Sequence, residues 1–219
     1  TSATNAGTLL AGSTLIVDTA SLSSSGKLLS QGDMHLALTQ DVAMTAGSET
    51  IANRDLSLTT SGNLTNSGRI AAGKDLSLSA ANIDNTATGD IQGTTTRLSA
   101  SGTVTNRGVI DGVVTRIDAG TVTNIGTGRI YGDHVSIGAG TLNNQAETVN
   151  GSTSAATIAA RQRLDIGAGT VSNRDGALIF GDGNLFIGGG LNTAGQAIGV
   201  ASSINNHAAT IEATGRLPA

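Results

Sequence analysis

SGNLTNSGRIAAGKDLSLSA, residues 61–80, holds no proline, no cysteine, no aromatic residue and no helical face. Its larger apolar residues are Leu64, Ile70, Leu76 and Leu78, set among glycine, asparagine and serine. They fall into three short segments, around Leu64, around Ile70 and over Leu76–Leu78. Local alternation of apolar and polar residues over such short runs is the mark of half-buried strands. Gly and Asn stand at the junctions, where sharp bends are expected to use positive φ.

The same line recurs along the chain. The second apolar residue of the LSL segment returns as Val17, Leu38, Leu58, Leu78, Leu98, Ile117, Ile137, Ile166 and Ile187, mostly at steps of about 20 residues. Leu217 is a candidate for one more. A second marker agrees with the first: Asn66, Asn85, Asn106, Asn124, Asn144, Asn173 and Asn206 each follow an apolar residue two places earlier. A third lies five residues before the first, at Gly12, Asn53, Gly73, Gly93, Gly112 and Gly132, with Gly32 six places before Leu38. Asn53 fits that column because asparagine tolerates the left-handed region.

Three strands in roughly 20 residues are too many for a leucine-rich repeat, and no 3.6-residue period supports a helical array. The expected fold is all-β: a right-handed parallel β-helix, or β-solenoid, of about ten coils with three short strands each. Residues one coil apart then stack at about 4.8 Å, and parallel crossovers favour the right hand. Leu38, Leu58, Leu78, Leu98, Ile117, Ile137, Ile166 and Ile187 should form one inward column. Asn66, Asn85, Asn106, Asn124, Asn144 and Asn173 should form an amide ladder at a bend, each donating to the next. The alternative is that each Asn takes a left-handed turn and faces water. Two steps are too long, which places loop insertions at 144–157 and 191–203. The chain reads as a single β-helix segment, 1–219, cut from a longer filament.

Composition agrees. Only Phe180, Phe186 and Tyr131 are aromatic, so the core is built from thin layers of Leu, Ile, Val and Ala. Glycine is frequent (31), proline nearly absent (1), and the 13% charged residues leave a net charge of −4. The 12 Lys and Arg are scattered, so no nucleic-acid surface is expected. No apolar run is long enough for a membrane span, and the first residues carry no signal-peptide pattern. The absence of cysteine suits a chain exported through an oxidising compartment.

The stretch GNLTNSGRIAAGKDLSLSA (62–80), with GTVTNRGVIDG (102–112) and GTVTNIGTGRIYG (120–132), resembles the filamentous haemagglutinin repeat. That repeat belongs to large exoproteins of two-partner secretion systems in Gram-negative bacteria, among them haemagglutinin-type adhesins and contact-dependent growth inhibition toxins. The resemblance implies a right-handed β-helical filament, secreted and tethered at the cell surface, that holds an adhesive, receptor-binding or toxin region away from the cell. It implies an outer-membrane transporter as partner during export and a target-cell or host receptor as a further one.

Nothing in the sequence asks for a catalytic site or a cofactor. A polysaccharide lyase or hydrolase on this fold needs clustered carboxylates, and the 16 acids are spread out. Asp55 and Asp75 share a register behind Arg54 and Lys74, which reads as a solvated charged edge. His35, His134 and His207 share no metal-ligand spacing. No aromatic platform for a sugar is evident. Asn63 and Asn150 match a glycosylation pattern by composition alone. The second functional reading is an adhesin segment that meets a receptor through its two insertions.

Overall fold

The computed structural model describes residues 1–215; Leu217 lies outside the described residues. Among them every regular element is a strand. They wind into a parallel β-solenoid of nine complete coils, with Ser203–His207 and Thr210–Ala213 beginning a tenth.

Each coil has three faces. On the first, Leu64 pairs with Val42 and Ile83. On the second, Ile70 pairs with Thr50 and Ile91. On the third, Leu78 pairs with Leu58 and Leu98, and the line continues through Ile117, Ile137, Ile166 and Ile187. Because side chains alternate across a strand, these residues point inward together. Leu58, Leu78, Ile117, Ile137 and Ile166 have no exposed surface. From the fifth coil on, the strands run unbroken around corners, as in Asp90–Asn106, Val109–Ile125 and Arg129–Val149.

Leu38 does not belong to the third-face column. Leu36 pairs with Val17 and Leu58, whereas Leu38 pairs with Thr60. The interval from Leu36 to Leu58 is longer than the mean repeat, so a marker stepped at 20 or 21 lands two places late. Two residues along a strand return to the same face, so Leu38 is still buried.

The junction glycines also act differently from the expectation. None of Gly12, Gly32, Gly73, Gly93, Gly112 and Gly132 has positive φ, and neither has Asn53. What most of them supply is room. A Cβ on Gly73 would sit 2.2 Å from the Asn53 carbonyl oxygen of the coil below, and one on Gly32 2.5 Å from that of Ser13. The chain turns there by bringing two main chains together, not by entering the left-handed region.

Both insertions are hairpins. In the first, Ala146–Val149 pairs antiparallel with Ser152–Ala155 around Asn150 and Gly151, whose φ angles are 50° and 81°. Positive φ at both central residues is the type I′ condition that suits a two-residue hairpin. The second is smaller: Gly190 and Leu191 pair with Ile198 and Ala197.

Candidate functional site

The bend between the first and second faces carries the asparagines. Asn66 Nδ2 donates to Asn85 Oδ1 at 2.9 Å, and the same bond repeats from Asn85 to Asn106, Asn106 to Asn124, Asn124 to Asn144, Asn144 to Asn173 and Asn173 to Asn206, all at 2.8–2.9 Å. Asn66 through Asn173 have no exposed surface. The second amide hydrogen is used too: Asn106 Nδ2 also donates to the carbonyls of Gly108 and Arg129. At the foot of the column Asn66 Oδ1 accepts from the Gly68 N–H. Every amide therefore points the same way along the axis, an arrangement in which each bond polarises the next.

Below the ladder the column changes chemistry. Met44 stacks on Asn66, with the Thr50 hydroxyl 3.5 Å from its sulfur, and Asn5 donates to Ser24 Oγ at 3.2 Å. Met44 and Ser24 carry no asparagine, so the sequence marker stops there and misses Asn5 beneath them. Thr50, Thr96 and Thr115 stand in otherwise aliphatic columns. Thr96 and Thr115 donate to the Asp111 and Tyr131 carbonyls, which satisfies their buried hydroxyls.

The first hairpin folds back along the rod. Arg107 clamps Glu147 with two parallel bonds, Nε to Oε2 at 2.8 Å and Nη2 to Oε1 at 3.0 Å. That fork holds the Glu147 carboxyl below the usual range, chiefly through the hydrogen bond from Arg107. The second hairpin lies on the outside of the third face, in a lane of glycines. A Cβ on Gly167 would meet the Gly190 carbonyl carbon at 2.2 Å, and one on Gly188 the Ile198 oxygen at 2.6 Å. Asp165, 3% exposed, ties this hairpin down: its Oδ1 accepts from the Ala197 N–H at 2.8 Å, and Arg163 grips both its oxygens. The Arg163 guanidinium also sits 4.1 Å over the Phe186 ring. Asp165, Arg163 and the Gly138–Gly167–Gly188 lane carry no short motif; only the register exposes them.

Further polar side chains bond from coil to coil. Asp33, Asp55 and Asp75 form a carboxylate series in which Asp33 Oδ1 accepts from the Asp55 N–H and Asp55 Oδ1 from the Asp75 N–H, each at 3.2 Å. Burial pushes the Asp90 carboxyl up, against the opposing pull of Arg69. His35, His134 and His207 stand on separate coils, and among the described residues no group of three His, Asp or Glu side chains could hold a metal.

Tyr131 pairs with Ala159 and Ala159 with Phe180 on the outer side of the second face. Two of the three aromatic residues are therefore aligned two coils apart with a small residue between them. They wall a notch of about 430 Å³ that Arg161 and Asp182 also line.

Residues 1–68 and 45–108 match the haemagglutinin repeat family model. This chain is a filamentous haemagglutinin-type repeat region. Deoxyribonuclease CdiA of Dickeya dadantii (strain 3937) is 30% identical over 212 residues, taking in 87% of this chain and 6% of that protein. The chain thus spans about 6% of the length of the curated relative it matches. No solved structure matches it. The family match ends at residue 108, but the coil does not: main-chain pairing continues to Asn206 with one register shift between Gly132 and His134, and the amide ladder runs through it.

Proposed function

We propose that this chain is a stalk segment of a secreted, surface-tethered filament of a two-partner secretion system. It crosses the outer membrane through the partner transporter and then holds an adhesive, receptor-binding or toxin region at a distance. The observation that supports the reading is the axial continuity: three inward columns and the amide ladder run through consecutive coils, so bending the rod must break many bonds at once. The deoxyribonuclease activity named for the relative is not carried over, because the matched part is so small a share of that protein.

The test is length. Removing residues 61–80 from the full-length protein deletes one coil and leaves Thr60 leading into Ala81 in register. A stalk tolerates this: the protein is exported, displayed and active, and its reach shortens by about 5 Å. Removing ten residues breaks the register and should abolish display. If the single-coil deletion abolishes receptor engagement while display is normal, this segment is itself a contact surface and the stalk reading fails.

A further inference from the structure

The outer side of the second face is not uniform. In the first coils its outward column is aliphatic, running Leu10, Leu29, Ile51 and Ala71; it then becomes Gln92, Asp111, Tyr131, Ala159 and Phe180. The next position along each strand is small and turned inward: Ala52, Ala72, Gly93, Gly112, Gly132, Ala160 and Gly181. Little side chain therefore covers the corner beside the outward column, which leaves an axial groove. Two hollows of about 370 and 430 Å³ lie in it end to end, and Arg161 lines both.

We propose that this groove, centred on the Tyr131–Ala159–Phe180 notch, binds a neutral oligosaccharide laid along the rod axis. Two coil spacings put the ring-bearing positions about 9.6 Å apart. A flat aromatic ligand between two rings needs only about 7 Å. The wider gap suits a puckered pyranose, whose C–H faces can stack on Tyr131 and Phe180 over the floor made by Ala159. The rim offers what hydroxyl groups need. Arg161 Nη1 donates to Asp133 Oδ1 at 2.8 Å, and its other nitrogens have no partner among the described residues. Asp182 accepts from Thr214 through Oδ1. Donors and acceptors then alternate beside apolar faces, as small-ligand sites require.

Charge selects against other polymers. Arg69 and Arg161 stand with Asp90, Asp111, Asp133 and Asp182, so carboxylates outnumber guanidiniums along the groove. A sulfated or uronic-acid chain would be repelled. An extended peptide gains little, because the strand main chains that wall the notch are already paired with the coils on either side. The site is independent of the stalk reading; it would exist whether or not this segment also spaces a distal domain.

The chain carries its own probe. Tyr131 is the only tyrosine and tryptophan is absent, so intrinsic emission reports this groove alone. The experiment titrates the protein with tetra- to hexasaccharides of neutral hexoses and N-acetylhexosamines, with a heparin hexasaccharide as the polyanion arm, and follows tyrosine emission. The proposal expects a saturable change with at least one neutral oligosaccharide and none with heparin. Phe180→Ala should weaken that binding at least tenfold, and Arg161→Ala severalfold. Both side chains face outward, so melting temperature and circular dichroism should stay at the parental values, and Phe180→Tyr should restore affinity. No saturable change with any neutral sugar, a response to heparin alone, or unchanged affinity in a folded Phe180→Ala variant each overturns the proposal.

Discussion

Asn106 shows how one residue type can define the axis. Its side chain donates to Asn124 and two carbonyls and accepts from Asn85, with no exposed surface. Replacing it with alanine leaves polar atoms on both neighbouring coils without partners, and each buried unsatisfied group costs about 1–3 kcal/mol. Asn106→Ala should therefore destabilise the chain by roughly 3 kcal/mol in denaturant melts. Thr103→Ala, three positions earlier and partly exposed, should cost under about 0.5 kcal/mol. Equal losses would mean that the ladder contributes nothing beyond a turn. This column was legible because asparagine repeated at the coil period with an apolar residue two places before it. Met44 and Ser24 were not legible, since a column is defined by pairing and only secondarily by residue type. Leu36 was hidden for a related reason: Leu36 and Leu38 have the same parity, and only main-chain pairing tells which one faces Leu58.

The two hairpins are elements that the sequence located as interruptions without giving their form. The Asn150–Gly151 pair was a hairpin signal in plain view, overshadowed by its match to a glycosylation pattern. What no local pattern could give is where each hairpin lies, because its anchors are far away in sequence: Arg107 for the first, Asp165 and Gly167 for the second. The first anchor titrates. Glu147 has its carboxyl pKa lowered by Arg107, so the clamp contributes fully above the ordinary glutamate range of about 4.3. It is lost as pH falls through the lowered value. Cross-strand nuclear Overhauser contacts between Thr148 and Thr153 should hold through the ordinary glutamate range and fade only at more acid pH. In Glu147→Gln their strength should be reduced at neutral pH and should lose that acid step. Contacts indifferent to both changes would show that the turn alone holds the hairpin in place.

On the scale of the whole molecule the period near 20 was enough to specify a parallel stack, because only that geometry puts recurrent apolar residues beside one another without helices. Stability in such an array is approximately a sum over coils and their interfaces. The sequence did not reveal the groove on the second face, because Tyr131, Ala159 and Phe180 are spaced irregularly by the first insertion and only pairing aligns them. The stack itself is open to one decisive measurement, made simple by the absence of native cysteine. Thr59 and Ser79 are register partners on adjacent coils, and Ser99 is the partner of Ser79 one coil further. Their Cα atoms should then be about 4.8 Å and 9.6 Å from Thr59, inside and outside the reach of a disulfide. Under mild oxidation Thr59→Cys/Ser79→Cys is predicted to close within one chain and Thr59→Cys/Ser99→Cys to stay open; equal closure of both pairs, or failure of the first in a folded protein, would contradict the solenoid.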